Sequence, residues 1–316
     1  MASQTLVQAK LFINNEIVQG VAETLIDVNP MYAVLPFDGY EGQAVLVNRE
    51  VTLGNTETLA VDTTISAKTA ATNTQSSFTA TRLIGDVEMD ELVALQSAGA
   101  GVDQMAIEIR SKAKSISRLF QTGMATGSGT SPAMNSFHYL LDTYGSTQYT
   151  TATGGTTSQA LSFALMDEML DLVLAKDGQV DWIMCPARTM RSYKVLLRAL
   201  GGTAMDDVIT LPDGRTVIGY EGIPIFKNTY LSTTETADGA ALVSGTMTSM
   251  YAGCWDDGSR RVGVAAIHPV AAPAGITVKM VGAMESKDSS LVRVVQYANL
   301  LTYNIKGIAR LTSLSN

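Results

Sequence analysis

Between Val51 and Thr81, ten of 31 residues are threonine and only three, Glu57, Asp62 and Lys68, are charged. Apolar side chains alternate around them: Val45 and Val47, Val51 and Leu53, then Leu59, Val61 and Ile65, and later Phe78 and Ala80. Period-two alternation with β-branched residues between predicts strands. The polar run Thr69–Gln75 predicts the tip of a two-stranded arm spanning Val45 to Ile84. An isolated hairpin is marginally stable in water, and this one holds few large apolar residues. It must lie against the rest of the chain or against another copy of it.

The chain has 316 residues, room for one large domain or two modest ones. Its net charge of −8 argues against nucleic acid as a primary ligand, because phosphate binding needs clustered Lys and Arg. Mean hydropathy is +0.14, so membrane segments need a check. The longest apolar run, Val262–Met284, contains His268, Pro269, Pro273 and Lys279, which no spanning helix tolerates well. At the N-terminus Lys10 precedes Asn14, Asn15 and Glu16 rather than an apolar signal core. A soluble chain made in the cytoplasm, without a membrane partner, is expected.

Residues 1–30 read as a mixed leader, either a short helix or an extended segment. After the arm, Asp86–Glu91 is acidic and Ser97–Gly101 is a break. Val102–Thr122 then predicts a long helix ended by Gly123, with Met105, Ala106, Ile109, Ala113, Ile116 and Phe120 on one apolar stripe. Arg110, Lys114 and Arg118 recur every four residues on another face. That face is either solvated or turned to an acidic partner. Ser158 predicts the N-cap of a helix through Leu161, Leu165, Met169, Leu172 and Val173. Val180–Cys185 predicts a buried strand, and Ala187–Leu200 a second helix. Strands are expected at Val208–Leu211, Thr216–Tyr220, Ile223–Phe226, Ala240–Ser244, Met250–Trp255, Ile276–Val281, Leu291–Tyr297 and Leu300–Leu311.

Chemistry-bearing patterns are few. Cys185 and Cys254 form no CxxC, and His138 and His268 are too few for an imidazole metal site. Cys185 ends an apolar strand, where burial suppresses the thiolate. Gly127-Ser128-Gly129 lacks the GKS/T ending of a phosphate loop. Asp167 and Asp171 sit one turn apart beside Glu168, a spacing that suits a divalent ion, acid/base work or simply an acidic solvent face. Asp256-Asp257-Gly258 reads as a turn. No catalytic residue, cofactor or metal is expected, and the chain is not read as an enzyme.

The order of elements is the informative feature: leader, long β-arm, long helix, Gly/Ser loop, helix–strand–helix block, late β-region and a closing strand. This α+β order resembles the major capsid protein of tailed bacteriophages, whose shell fold is shared with encapsulins and the floor of herpesvirus capsids. Val45–Ile84 matches the extended loop and Val102–Thr122 the spine helix. Val180–Pro186 followed by Arg188 looks like the strand leading into a peripheral helix, Gly222–Ile225 like the G-x-P-hydrophobic strand, and Leu301–Leu311 like the closing strand. The resemblance implies an N-terminal arm (residues 1–42), an extended hairpin (43–90), a peripheral domain with the spine helix (91–200), an axial domain (201–284) and return strands (285–316).

The same resemblance implies a self-assembling icosahedral head shell of pentamers and hexamers enclosing double-stranded DNA, located in the virion and assembled in the host cytoplasm. Alternatives are an encapsulin-like compartment and a phage tail or adhesin component. Partners are expected to be many copies of the chain itself, a separate scaffolding protein, a portal and decoration proteins, with DNA touched only non-specifically. Inter-subunit contacts are expected at Asp62, Lys68, Asn73, Gln75, Phe78, Arg110, Lys114 and Arg118, the three helix cations facing scaffold or a neighbour's Asp86–Glu91. Lys68 near the tip has no identifiable asparagine partner, so no crosslinking is expected. Permanent interfaces commonly bury about 2,000–5,000 Å² and are apolar-rich, which suits 46% hydrophobic residues and 16% charge. Removing Asp62–Gln75 is expected to spare the fold and abolish shells.

Overall fold

The computed structural model describes residues 31–315 except 100–102, 146–147, 153–157, 176–177, 200–206, 212–213, 215, 237–241 and 243–244. The leader expected over residues 1–30 and most of the strand expected at Ala240–Ser244 lie outside the described residues. In chain order the strands are β1 (Phe37–Tyr40), β2 (Val45–Thr52), β3 (Thr72–Phe78), β4 (Thr81–Asp90), β5 (Tyr149–Thr151), β6 (Trp182–Cys185) and β7 (Asp207–Thr210). They continue with β8 (Thr216–Tyr220), β9 (Ile223–Lys227), β10 (Met247–Gly253), β11 (Val264–Pro269), β12 (Thr277–Ala283), β13 (Ser289–Thr302) and β14 (Ile308–Ser315). The helices are α1 (Met31–Val34), α2 (Glu91–Gly99), α3 (Gln104–Thr126), α4 (Phe137–Tyr144), α5 (Phe163–Leu174) and α6 (Ala187–Ala199).

One sheet is built on β13, which pairs with β4 from Ser289↔Asp90 to Ala298↔Thr81 and also with β12 and β11, β1 lying beyond β11. The long helix α3 packs on β4 and β13, burying Ile116 and Phe120 of its expected apolar stripe together with Met124, while Met105, Ala106, Ile109 and Ala113 of that stripe are half-buried. Asp103 caps it, its Oδ1 accepting from the Ala106 N–H at 3.0 Å. The helix passes through Gly123 and ends at Gly127. Gly123 is a packing residue: a Cβ there would lie 2.1 Å from Met134 Sδ, so glycine lets the following loop press onto the helix.

The second sheet has seven strands in the order β5-β14-β10-β6-β9-β8-β7. Its central strand β6 is buried on both faces, which is why its sequence, WIMC, is a continuous apolar run. Along β6, Trp182 and Met184 join one core cluster while Ile183 and Cys185 join the other. Both α5 and α6 cover the Ile183 face. Ser162, rather than Ser158, caps α5, accepting from Leu165 N at 3.4 Å. The sheet unites β5, β6 and the late strands β7 to β10, so it does not divide at residue 200.

The final strand is also two. β13 ends at Thr302, a 3-10 turn covers Ile305–Gly307, and β14 crosses into the seven-stranded sheet. Asn304 makes the break, its Oδ1 accepting from Lys306 N at 3.0 Å. The strands β1 and β11 had no sequence signal. β1 reads FDGY without alternation, and the buried β11 merges into the apolar run after Val262.

Candidate functional site

The arm is present, with a shorter ladder and a longer tip than its pattern predicts. β2 pairs antiparallel with β3 from Val45↔Phe78 to Thr52↔Thr72. Residues Leu53–Ala71 contain no strand, so the apolar alternation at Leu59, Val61 and Ile65 is not a ladder, and the tip centres on Asp62 rather than Thr69–Gln75. Asp62 takes φ +70°, a left-handed turn position that Asp tolerates. Glu57 closes the tip from within: its carboxylate accepts from the Ala67 N–H at 3.0 Å, the Ser66 N–H at 2.5 Å and the Ser66 hydroxyl. Those bonds, the Ser66 hydroxyl first, hold the Glu57 carboxyl below the usual range.

Root and tip differ sharply in exposure. Phe78 is 2% exposed and Val47 is buried, whereas Val61 is 99% and Leu53 80% exposed. Arg49 fastens the root. Its Nε and Nη2 donate to the carbonyls of Tyr303 (3.1 Å) and Thr302 (2.5 Å), and Nη1 donates to Ser76 Oγ at 3.0 Å. Its guanidinium lies 4.7 Å from the Tyr144 ring centroid and 5.4 Å from that of Phe78. Burial pushes the Arg49 pKa down from its ordinary value. Tyr40 Oη accepts from the Ala80 N–H at 3.0 Å, and Phe78 packs on Tyr144 with centroids 5.8 Å apart. Sequence reasoning missed Arg49 because its carbonyl partners lie 253 and 254 residues away.

Of the expected contact residues, Asp62, Lys68, Asn73 and Gln75 are exposed along the arm. Gln75 Nε2 is held across the ladder by Asn48 Oδ1 at 2.9 Å. Phe78 is a correction: it is buried in its own chain and cannot meet a neighbour. Arg110 and Arg118 are exposed and Lys114 half-buried on α3. Part of the acidic stretch expected to face them from a neighbour is already paired within the chain. Asp86 and Glu88 lie in β4, where Arg293 binds Asp86 through two bonds of 2.8 and 2.9 Å and Lys287 binds Glu88 at 2.9 Å. The Arg293 bonds, chiefly, hold the Asp86 carboxyl below the usual carboxylate range, and Lys112 adds to them.

The chemistry-bearing residues are engaged structurally. Burial pushes the Cys185 thiol up to about 12 and, with Arg310 nearby, the His138 imidazole down to about 4. Asp167 accepts from the Tyr220 hydroxyl at 2.5 Å. Gly129, at φ +67°, sits against Tyr139, whose ring a Cβ would approach to 2.3 Å; the Gly/Ser loop is filled by an aromatic side chain. Asp256 and Asp257 accept from Arg260 N (3.1 Å) and Ser259 N (2.9 Å), as a turn does. Among the described residues no group of three or more His, Cys, Asp or Glu could hold a metal ion, and no helix is long and apolar enough to cross a membrane.

The whole chain superposes on solved shell proteins. The capsid of cyanophage A-1(L) aligns with TM-score 0.71 at 13% identity, covering 99% of this chain and 100% of that one. The fold is that of tailed-phage capsid and encapsulin shells. The SrpI encapsulin from Synechococcus elongatus PCC 7942 aligns with TM-score 0.68 at 14% identity, over 100% of this chain and 97% of that one. The capsid of Myoviridae phage XM1 gives 0.61 at 15% identity, over 95% and 97%. No family model and no curated protein sequence matches the chain. The shell fold thus has its extended loop in β2–β3, its spine helix in α3 and its second sheet in β5–β10 and β14.

Proposed function

We propose that this chain is the major capsid protein of a tailed bacteriophage, many copies of which assemble into pentamers, hexamers and a closed icosahedral shell around double-stranded DNA. The observation that carries the reading is the arm: bolted to its own subunit at Arg49 and Phe78, it presents Leu53, Leu59, Val61 and Ile65 to water. Exposed apolar side chains on an extended segment gain only when another surface covers them. A neighbouring copy supplies that surface. Edge strand β12 exposes Val278, Met280 and Val281 and fits the same requirement.

In this reading β2–β3 is the inter-subunit clasp, α3 with the β13 sheet forms the peripheral domain, and the seven-stranded sheet with α5 and α6 forms the axial domain. The exposed cations Arg110 and Arg118 face scaffold in this reading, on the helix face that also carries Lys114. A separate scaffolding protein, a portal and decoration proteins are the further partners, the virion the final location, and DNA a non-specific content. An encapsulin-like compartment has the same fold, and enclosed protein cargo in place of DNA would identify it.

The decisive experiment is electron microscopy of purified particles with the arm shortened within its tip. Asn55 N already donates to the Thr69 carbonyl at 3.0 Å, so Thr56–Lys68 can be removed and the chain rejoined there without touching the β2–β3 ladder. Removal of Asp62–Gln75 would instead take Thr72–Gln75 out of β3. Wild-type protein is expected to form shells or pentameric and hexameric rings; the shortened chain keeps its melting curve and forms no stable shells. Wild-type protein that stays monomeric under every condition overturns the reading.

A further inference from the structure

Two helices on one face of the seven-stranded sheet carry opposite charge. α5 (FALMDEMLDLVL) holds Asp167, Glu168 and Asp171 and no cation; α6 (ARTMRSYKVLLRA) holds Arg188, Arg191, Lys194 and Arg198 and no anion. They meet where Phe163 of α5 lies 6.3 Å from Tyr193 of α6 and Asp167 accepts from Tyr220, and they cover different strands on either side of that contact. α5 packs on β14, β5 and β10, toward the β5 edge. α6 lies over β8, where the Tyr193 hydroxyl donates to the Gly219 carbonyl at 2.9 Å and Tyr193 meets Tyr220 edge-on at 6.1 Å.

The two flanks also match in shape and polarity. On the β5 side a groove of about 450 Å³ is lined by Gln148, Tyr149, Thr150, Glu168, Asp171 and Leu172. Tyr149 is half exposed there, an apolar floor beside two carboxylates. Gln148 is only 2% exposed, yet its Oε1 accepts no hydrogen bond among the described residues. A buried acceptor without a donor is costly, and a donor arriving in the groove would relieve it. On the other flank Arg188, Arg191, Val195 and Arg198 share one exposed face of α6, since residues three, four and seven apart are helix neighbours. Val195 is an exposed apolar centre among three guanidiniums.

We infer that the α6 face of one copy docks into the α5–β5 groove of the next, Val195 against Tyr149 and the arginines against Glu168, Asp171 and the Gln148 acceptor. Because the two surfaces differ, the contact is heterologous and head-to-tail, the kind that generates closed rings when its rotation closes. Complementary charge also explains direction, since the reversed approach sets like charges together. An anionic polymer such as DNA is the competing occupant of the α6 face, but it leaves the acidic groove and Gln148 unexplained. The inference rests on the shell reading and gives it a ring contact that is separate from the arm.

The test is charge reversal and its repair, with ring and shell yield read by sedimentation and microscopy. Arg191→Glu with Arg198→Glu is expected to abolish rings, Glu168→Lys with Asp171→Lys to do the same, and mixing the two variants to give paired copies that neither forms alone. Disulfide trapping provides a measurement that tolerates poor folding of the charge variants. Val195→Cys mixed with Tyr149→Cys should give crosslinked dimers under mild oxidation, each single variant alone none, and 1 M salt should reduce the yield by screening the contact. Rings formed by the reversed variants, or no crosslink in the mixture while wild-type shells form, overturn this contact and leave the shell reading intact. Wild-type protein that forms neither shells nor rings overturns both. DNA lost from assembled particles on reversing α6 alone, with rings unchanged, assigns the face to DNA and overturns the contact.

Discussion

The two ends of the arm are one hairpin with opposite physical fates. At the root, strand residues alternate between a buried and an open side, and Val47 and Phe78 enter the main core cluster. At the tip the same kind of residues, Leu53, Val61 and Ile65, enter no core. The root obeys the intramolecular logic of a sheet, in which burial is completed within the chain. The tip obeys the logic of an interface, in which burial waits for a partner. A substitution at the root should therefore be felt by the isolated subunit, and a change at the tip only by the assembly.

The largest effect that would break this contrast is at Phe78. Truncating it to Ala removes a nearly fully buried ring and should destabilise the subunit by about 3–5 kcal/mol, measured by denaturant unfolding of unassembled protein. A loss near zero would mean that the root, like the tip, is held by a neighbour. Arg49→Met comes next. It keeps the stem but leaves the Thr302 and Tyr303 carbonyls without their donor, a loss of about 1–3 kcal/mol in the same measurement. Hydrogen exchange should then rise in β2 and β3 before it rises in α3, because the bolt rather than the body has been loosened.

The smallest effect lies at the tip and depends on pH. The carboxyl of Glu57 is held below its unfolded value by the bonds it accepts from Ser66 and Ala67. An acid with a lowered folded-state pKa contributes order above its unfolded pKa, and that order is lost as pH falls through the folded value. The Ser66 and Ala67 amides should stay protected at neutral pH and exchange freely once the solution is taken well below pH ~4. Glu57→Gln should show the unprotected pattern already at neutral pH, with the melting temperature of the subunit unchanged. A shift in melting temperature would mean that tip and root are coupled after all.

Much of this was legible in the sequence because periodicity reports burial. The stripe of Ile116 and Phe120 placed α3, the run Val180–Cys185 placed the buried strand β6, and the runs Val208–Leu211 and Thr216–Tyr220 placed β7 and β8. The alternation near Val61 misled for the same reason: it marks residues that need covering, and it is silent on whether a ladder or a neighbour covers them. Phe78 shows the converse error, an arm residue taken for a contact because nothing local reveals that Tyr144 and Arg49 enclose it. Gly123 looked like a helix stop because glycine usually is one; Met134, pressed against it from a later loop, gives it another purpose.

By itself the sequence determined the kinds of element and their order, because those follow from local pattern: an arm too polar to stand alone, a spine helix and a buried helix–strand–helix block. Only the tertiary structure decided which strands share a sheet, that Asp86 and Glu88 are neutralised by Arg293 of β13 and by Lys287 just before it, and that acidic α5 and basic α6 pack side by side on one face of one sheet. Those facts join residues from about 20 to more than 200 positions apart. No local pattern carries such pairings, since they are set by how whole faces bury one another.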